Sequence, residues 1–167
     1  MSKKYHLYQV DAFTEQRFRG NPAGVVLDAD GLTEFQMQEI ARELNNSETA
    51  FVFSSDSPEY DVEVRFFTPV REVPMCGHAT VAAHYVRALE QNLPSGRIMQ
   101  KIGAGILPVD IVRENDSIRI AMTQGLFRLG LPFDEAQKQE LCAALRLSPD
   151  QLREGWPIQE VLSLIHI

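Results

Sequence analysis

The 167-residue sequence lacks features that mark several large classes of protein. It contains only two cysteines, Cys76 and Cys142, so neither a disulfide framework nor a zinc site of the paired-cysteine type is predicted. Basic residues are outnumbered, with 16 Lys and Arg against 23 Asp and Glu and a net charge of −7. Nucleic-acid binding needs clustered positive charge, so we expect no nucleic-acid partner.

Long apolar runs are missing as well. No stretch approaches the ~20 apolar residues that cross a bilayer, and no apolar segment of signal-peptide length follows the N-terminal lysines. We therefore expect a cytoplasmic protein with no membrane partner. The composition, 44% hydrophobic and 23% charged, is that of an ordinary globular chain.

The most informative segment is Val73–Thr80, which runs into the almost wholly apolar helical stretch Val81–Leu89. A helix without a polar face has to be enclosed on nearly every side. We expect its core residues to be Val81, Ala82, Tyr85, Val86 and Leu89. Its first turn then lies in a sheltered place. There the free N–H groups of Gly77, His78 and Ala79 and the helix dipole can hold an anion such as a substrate carboxylate.

Two side chains near this helix are candidates for chemistry. Glu48 opens a run of β-branched and aromatic residues, and a carboxylate withdrawn from water becomes a useful proton carrier. The alternative is a strand-end glutamate that faces solvent or caps a turn. Cys76 directly precedes the helix start, a position that lowers the pKa of a thiol and favours thiolate chemistry. Cys142 is expected to be a small buried residue of an amphipathic helix.

Periodicity predicts an alternation of short strands and helices. Strands are predicted over 5–13, 23–27, 48–54, 61–68, 97–102, 106–113 and 117–123, and amphipathic helices over 33–44 and 134–145. Most connections are too short for the crossover helices of a doubly wound parallel sheet. The prediction is an α+β half-barrel of strands wrapped around the apolar helix, with Leu131 and Pro132 as a linker. His78 and His84 lie on different helix faces, so no metal site is predicted.

Five motifs together resemble one known family. They are, in order, Val10–Phe13, Gly20–Val26, Ser47–Phe51, Arg65–Pro69 and Cys76–Thr80. This order resembles the N-terminal half of the PhzF-like family, which is named for a phenazine-biosynthesis isomerase and shares the fold of diaminopimelate epimerase. The resemblance implies a half-barrel of mixed strands as a domain over 1–130, followed over 131–167 by the start of a truncated second domain. The tail over 160–167 departs from the family pattern, which suggests a non-native end.

The resemblance also implies a function. The implied protein is an isomerase that uses no cofactor and no metal. It moves a proton between carbons of a small carboxylate substrate. Glu48 matches the catalytic glutamate, and His78 matches a group that is a donor or proton relay or, alternatively, only a helix cap. The implied substrate-binding set is Asn21, Cys76, Gly77, His78 and Ala79.

Two other hypotheses remain open. One is a cysteine-type amino-acid epimerase or racemase of the same fold, in which Cys76 supplies one thiol and the missing half supplies the other. The second is a fragment without catalytic activity that serves as a binding or dimer-forming module, with a homodimer as one form. Even as an isomerase or epimerase, the isolated chain is expected to be nearly inactive, because a cleft with one wall admits water.

Overall fold

The structure is a computed structural model that describes residues 3–115, 117–123 and 128–162. The chain divides into two compact units, Met1–Gln124 and Gly125–Ile167. All of the predicted site residues belong to the first unit.

A curled mixed sheet forms the framework of the first unit. Its strands are β1 (His6–Ala12), β2 (Asn21–Leu27), β3 (Thr49–Ser54), β4 (Val62–Phe67), β5 (Glu72–Val73), β6 (Gly96–Ile102), β7 (Gly105–Glu114) and β8 (Ser117–Met122). The order across the sheet is β1-β2-β3-β4-β6-β7-β8, and β5 pairs with β4. The pairs β2–β3 and β4–β6 are parallel, and the others are antiparallel. Helices α1 (Glu34–Leu44) and α2 (Gly77–Glu90) form the connections of the two parallel pairs.

The sheet wraps around α2, as the half-barrel prediction required. α2 contacts β1, β2 and β3 from the first part of the sheet and β7 and β8 from the last part. The core between helix and sheet contains Ala23, Val25, Ala50, Val52, Val62, Val64, Phe66, Ala79, Ala82, Ala83 and Val86. A second core, which includes Met37 and Ala41 of α1, contains Val26, Phe51 and Phe67. Alternate residues of β2 and β3 thus belong to two different cores.

One face of α2 is more exposed than we predicted. Ala82 and Val86 are buried as expected, but Tyr85 is 38% and Leu89 54% exposed. Together with the half-buried Val81 these two residues recur every four positions, so they share one face of the helix. The buried residues of α2 are mostly alanines, and such small side chains let the strands approach the helix closely. The core assignment of Tyr85 and Leu89 was therefore wrong.

The ends of α1 agree with the sequence prediction because both signals are local. Thr33 is the N-cap, and its hydroxyl accepts from the N–H of Gln36 while the Gln36 side chain accepts from the N–H of Thr33. Asn45 ends the helix in the left-handed conformation at φ 52°. The C-terminal end of α2 is instead closed by a distant residue, since the Arg113 guanidinium of β7 donates to the carbonyls of Ala88 and Leu93.

The buried side chain of His84 in α2 forms a polar cluster inside the first unit. His84 is fully buried, and its Nε2 lies 2.9 Å from Oε1 of Gln100 while its Nδ1 lies 3.2 Å from Nη1 of Arg87. A guanidinium can only donate, so Nδ1 accepts and the neutral ring carries its proton on Nε2. Burial lowers the pKa of His84 from 6.5 to about 4, with the Arg87 charge adding to this and the Gln100 hydrogen bond opposing it. Buried His84 is therefore neutral at physiological pH.

The second unit is smaller. It contains β9 (Arg128–Pro132), α3 (Glu135–Leu145), a short 3₁₀ turn (Pro149–Gln151) and β10 (Gln159–Leu162). Cys142 is buried in α3 as predicted. The predicted linker residues Leu131 and Pro132 instead belong to β9, because that strand pairs with β10. The domain division and the foreign origin of the tail stay predictions, and residues 163–167 lie outside the described part.

Candidate active site

The start of β3 and the start of α2 are close together because both elements lie against β2. The carbonyl of Glu48, the residue before β3, accepts a hydrogen bond from the N–H of Gly24 in β2 at 3.1 Å. Glycine at position 24 allows this approach, since a Cβ there would lie 2.7 Å from both the Thr49 hydroxyl oxygen and Cδ1 of Leu44 and would force those side chains to move. Cys76 is the N-cap of α2 and has an extended backbone. Two segments that are distant in sequence therefore meet at one place.

The imidazole of His78 is the centre of the resulting cluster. Its Nε2 lies 3.5 Å from Oε2 of Glu48 and 3.2 Å from Oγ of Ser47. Its Nδ1 lies 3.3 Å from Sγ of Cys76. The side chain of His78 is 10% and that of Glu48 23% exposed, so the cluster is largely sheltered from solvent. The predicted pair Glu48 and His78 thus lies at ion-pair distance.

Cys76 differs from its sequence prediction. Burial raises the pKa of the Cys76 thiol to about 12; the backbone N–H groups of Ala79 and His78 act in the opposite direction, and the nearby carboxylate of Glu48 adds to the rise. The helix start favours a thiolate, but desolvation outweighs this effect, so Cys76 is a buried, packed neighbour of the site that keeps its proton. A thiol that keeps its proton can donate it to Nδ1 of His78. The ring proton is then on Nε2, facing Ser47 and Glu48.

The first turn of α2 supplies backbone donors beside this cluster. The first bond within the helix runs from the N–H of Thr80 to the carbonyl of Cys76. The N–H groups of Gly77, His78 and Ala79 precede it and have no partner within the helix. Such an N-terminus, with its positive dipole end, is suited to a carboxylate.

Asn21 is not part of the cluster of side-chain contacts around His78. It is exposed at the first position of β2, opposite Ala12 of β1. Within the described residues its side chain makes no hydrogen bond to Glu48, Cys76 or His78. Any role of Asn21 in binding therefore depends on contact with a substrate rather than on this cluster.

Sequence reasoning missed Ser47 as a site residue. Its hydroxyl contacts His78 directly, and its place beside Glu48 in the motif was the available signal. Two buried polar atoms flank the same pair of residues. Neither Nδ2 of Asn46 nor Oγ1 of Thr49 has a hydrogen-bond partner in the part of the chain that is described. A buried polar group without a partner is costly, so these two atoms lower the stability of the segment that carries Ser47 and Glu48.

Fold and site together define an epimerase-like α+β half-barrel with an acid, an imidazole and a thiol at the start of its central helix. The family model for "Phenazine biosynthesis-like protein" matches residues 10–156. An uncharacterized isomerase of Clostridium acetobutylicum is 57% identical over 161 residues, covering 96% of this chain and 53% of that protein. The chain belongs to the phenazine biosynthesis-like, or PhzF, family, as its motifs predicted.

Solved structures agree with this assignment. The crystal structure of a PhzF-family phenazine biosynthesis protein from Bacillus anthracis matches with a TM-score of 0.80 at 36% identity, over 96% of this chain and 56% of the other. A predicted epimerase from Pseudomonas aeruginosa matches with a TM-score of 0.79 at 26% identity, over 95% and 56%. The chain therefore spans about half the length of the relatives that it matches.

Among the described residues, no helix has the length and apolarity needed to cross a membrane.

Proposed function

We propose that this chain carries the proton-transfer half of a cofactor-independent isomerase that acts on a small carboxylate substrate. The observation that carries the proposal is the contact of Glu48 with His78, 3.5 Å apart, at the N-terminus of α2. A carboxylate base held against a donor and a helix start is the arrangement that abstraction of a carbon-bound proton needs. Relatives named isomerases support the class of reaction.

In the proposed mechanism the substrate carboxylate binds at the N–H groups of Gly77 and Ala79. The carboxylate of Glu48 then takes a proton from a substrate carbon, and negative charge develops on the conjugated substrate. The Nε2–H of His78 and the helix N-terminus stabilise that charge without rearranging during the reaction. Glu48 finally returns the proton to a different carbon, so the double bond moves and no atom is gained or lost.

Proton exchange with solvent tests this mechanism without knowledge of the natural substrate. Small carboxylic acids that have an acidic C–H are incubated with the protein in D₂O, and the loss of the C–H signal is followed by NMR. Glu48→Gln should slow exchange by about 10²–10⁴-fold. Glu43→Gln, an exposed glutamate of α1, is the matched control and should leave the rate unchanged. Exchange that is equally fast in Glu48→Gln refutes the assignment of the base.

Substrate binding is measured separately because it gives a reading that does not depend on turnover. The amide signals of Gly77 and Ala79 should shift when a carboxylate substrate is added. The proposed anion site is refuted if none of the carboxylates shifts them. A protein that only forms dimers would show neither exchange nor these shifts.

The cysteine-type epimerase is the second candidate function. It is favoured by one observation, the Cys76 thiol lying 3.3 Å from His78 in a buried place that raises the pKa of the thiol. A thiol with its proton can act as the acid of a two-cysteine pair. In that case Cys76→Ser would abolish exchange at a stereocentre, while Glu48→Gln would retain it.

A further inference from the structure

Glu48, Cys76 and His78 also have the arrangement of a metal site. One carboxylate oxygen, one imidazole nitrogen and the thiol sulfur lie within 4.8 Å of one another. Zinc bonds of 2.0–2.3 Å place tetrahedral ligand atoms about 3.3–3.8 Å apart. The 3.3 Å from Nδ1 of His78 to Sγ of Cys76 already falls in this range, whereas the 3.5 Å contact of Glu48 is with Nε2, the other ring nitrogen. An ion bound at Nδ1 therefore requires the Glu48 carboxylate to turn from the Nε2 side of the ring, within a cluster whose ligand atoms are no more than 4.8 Å apart.

We propose that these three residues bind Zn²⁺, and that the ion inhibits the protein by holding the Glu48 carboxylate, which then cannot accept a proton from the substrate. Sulfur and imidazole are ligands that select zinc over magnesium or calcium. Three protein ligands leave a fourth tetrahedral position for water or for an added anion. The inhibition, but not the binding, rests on the proposed function, because it requires Glu48 as the base.

Charge decides whether a cation can lie at a helix N-terminus. The dipole of α2 contributes roughly half a positive charge there and opposes the ion. On binding, the Cys76 thiol transfers its proton to solvent and the sulfur bonds to zinc as a thiolate. Thiolate and the Glu48 carboxylate then supply two full negative charges, which balance the ion and outweigh the dipole. The buried neighbours Met75 and Ala79 strengthen this attraction by excluding water.

Ser47 provides an outer contact for such a site. Its Oγ lies 3.2 Å from Nε2 of His78, so a ring that binds zinc through Nδ1 keeps a partner for its other nitrogen. Metal-binding histidines nearly always have such a partner, which fixes the ring orientation. The sequence did not predict this site because its residues come from two distant segments and do not follow a familiar spacing.

Cobalt titration of the full chain tests the proposal, since Co²⁺ substitutes for zinc and absorbs light. We expect a thiolate-to-cobalt charge-transfer band in the near ultraviolet and the visible bands of a tetrahedral ion, both removed by added Zn²⁺. The charge-transfer band should vanish in Cys76→Ser and persist in Cys142→Ser, the matched cysteine control. Zinc affinity should fall by more than about 100-fold in Cys76→Ser and His78→Gln. The exposed-residue control His6→Gln should bind zinc like the unaltered chain.

Circular dichroism of each variant separates loss of a ligand from loss of the fold. If Cys76→Ser does not fold, Glu48→Gln takes its place, and it should weaken zinc binding by a similar factor. The proposal is overturned if no charge-transfer band forms, if the band survives in Cys76→Ser, or if the spectrum is octahedral. The cobalt spectra and zinc affinities do not depend on turnover, so they test metal binding even if the isomerase proposal fails. In the exchange assay, saturating Zn²⁺ should stop turnover, and exchange that continues refutes the inhibition.

Discussion

The buried imidazole of His84 should make this fold sensitive to mild acid. Its pKa is about 4 in the folded state, against an ordinary value of 6.5. Above pH 6.5 neither state holds a second ring proton, so the residue contributes no pH dependence. As the pH falls from 6.5 toward 4, the unfolded chain binds a proton that the folded chain rejects. Folding stability is lost across that window and does not fall further through this group below it.

The size of the effect follows from the difference between the two pKa values. It corresponds to about 3 kcal/mol of unfolding free energy, a large part of the stability of a small domain. The free energy of unfolding is measured by urea denaturation, followed by far-ultraviolet circular dichroism, from about pH 7 to about pH 4. Carboxylates titrate in the same range, so the difference between variants is the quantity that matters.

His84→Gln removes the titrating ring but keeps a polar side chain beside Gln100 and Arg87. It should lose about 3 kcal/mol less stability on acidification than the unaltered chain. His6→Gln, which removes an exposed histidine, should behave like the unaltered chain. Equal acid sensitivity in His84→Gln would refute the reasoning. NMR titration of the His84 ring gives an independent reading that needs no variant, and a midpoint at or above pH 6.5 would refute it as well.

Three further changes test the packing of the first unit by urea denaturation. Phe66→Ala opens a cavity in the core beneath α2 and should lower the free energy of unfolding by about 3–5 kcal/mol. Leu89 is exposed, so Leu89→Ala should lower it by less than about 0.5 kcal/mol. Equal losses in the two variants would contradict the observed orientation of the helix. Gly103→Ala places a Cβ 2.8 Å from Cα of Pro74, a backbone atom that cannot rotate away. We therefore expect the free energy of unfolding to fall by about 1–3 kcal/mol. Unchanged stability would argue against this contact. Arg113→Ala removes two hydrogen bonds at the end of α2 and should cost about 1–3 kcal/mol, while Arg113→Lys should recover only part of it.

Features with local causes could be predicted from the sequence. The start and end of α1 follow from Thr33, Gln36 and Asn45, which act on backbone groups within one turn. The buried face of α2 could not be predicted, since alanine, tyrosine and leucine all score as apolar. Which of them is enclosed depends on how closely the strands approach, and that is a property of the whole sheet. The pairing of β9 with β10 could not be predicted either, because it joins two segments that are distant in the sequence.

The site shows the same limit. Motif order led to Glu48 and His78, and the structure places them in contact. The state of Cys76 could not be predicted, because helix position and burial act in opposite directions on its pKa and only the packed structure shows that burial is the larger. The Ser47–His78 contact depends on how β3 lies against α2, which no spacing along the chain encodes.

The enclosure of α2 by strands from both ends of the first unit has a consequence for synthesis on the ribosome. β1, β2 and β3 precede the helix in the chain, but β7 and β8 follow it, and β8 ends at Met122. At about 5–20 residues per second, roughly 2–6 s separate the synthesis of Glu90 from that of Met122. Until that interval ends the alanine-rich face of the nascent helix lacks at least β8, and before Glu114 is made it also lacks a complete β7. We expect stalled nascent chains that end before β8 to recruit holding chaperones, and chains that have released β8 from the exit tunnel to lose them.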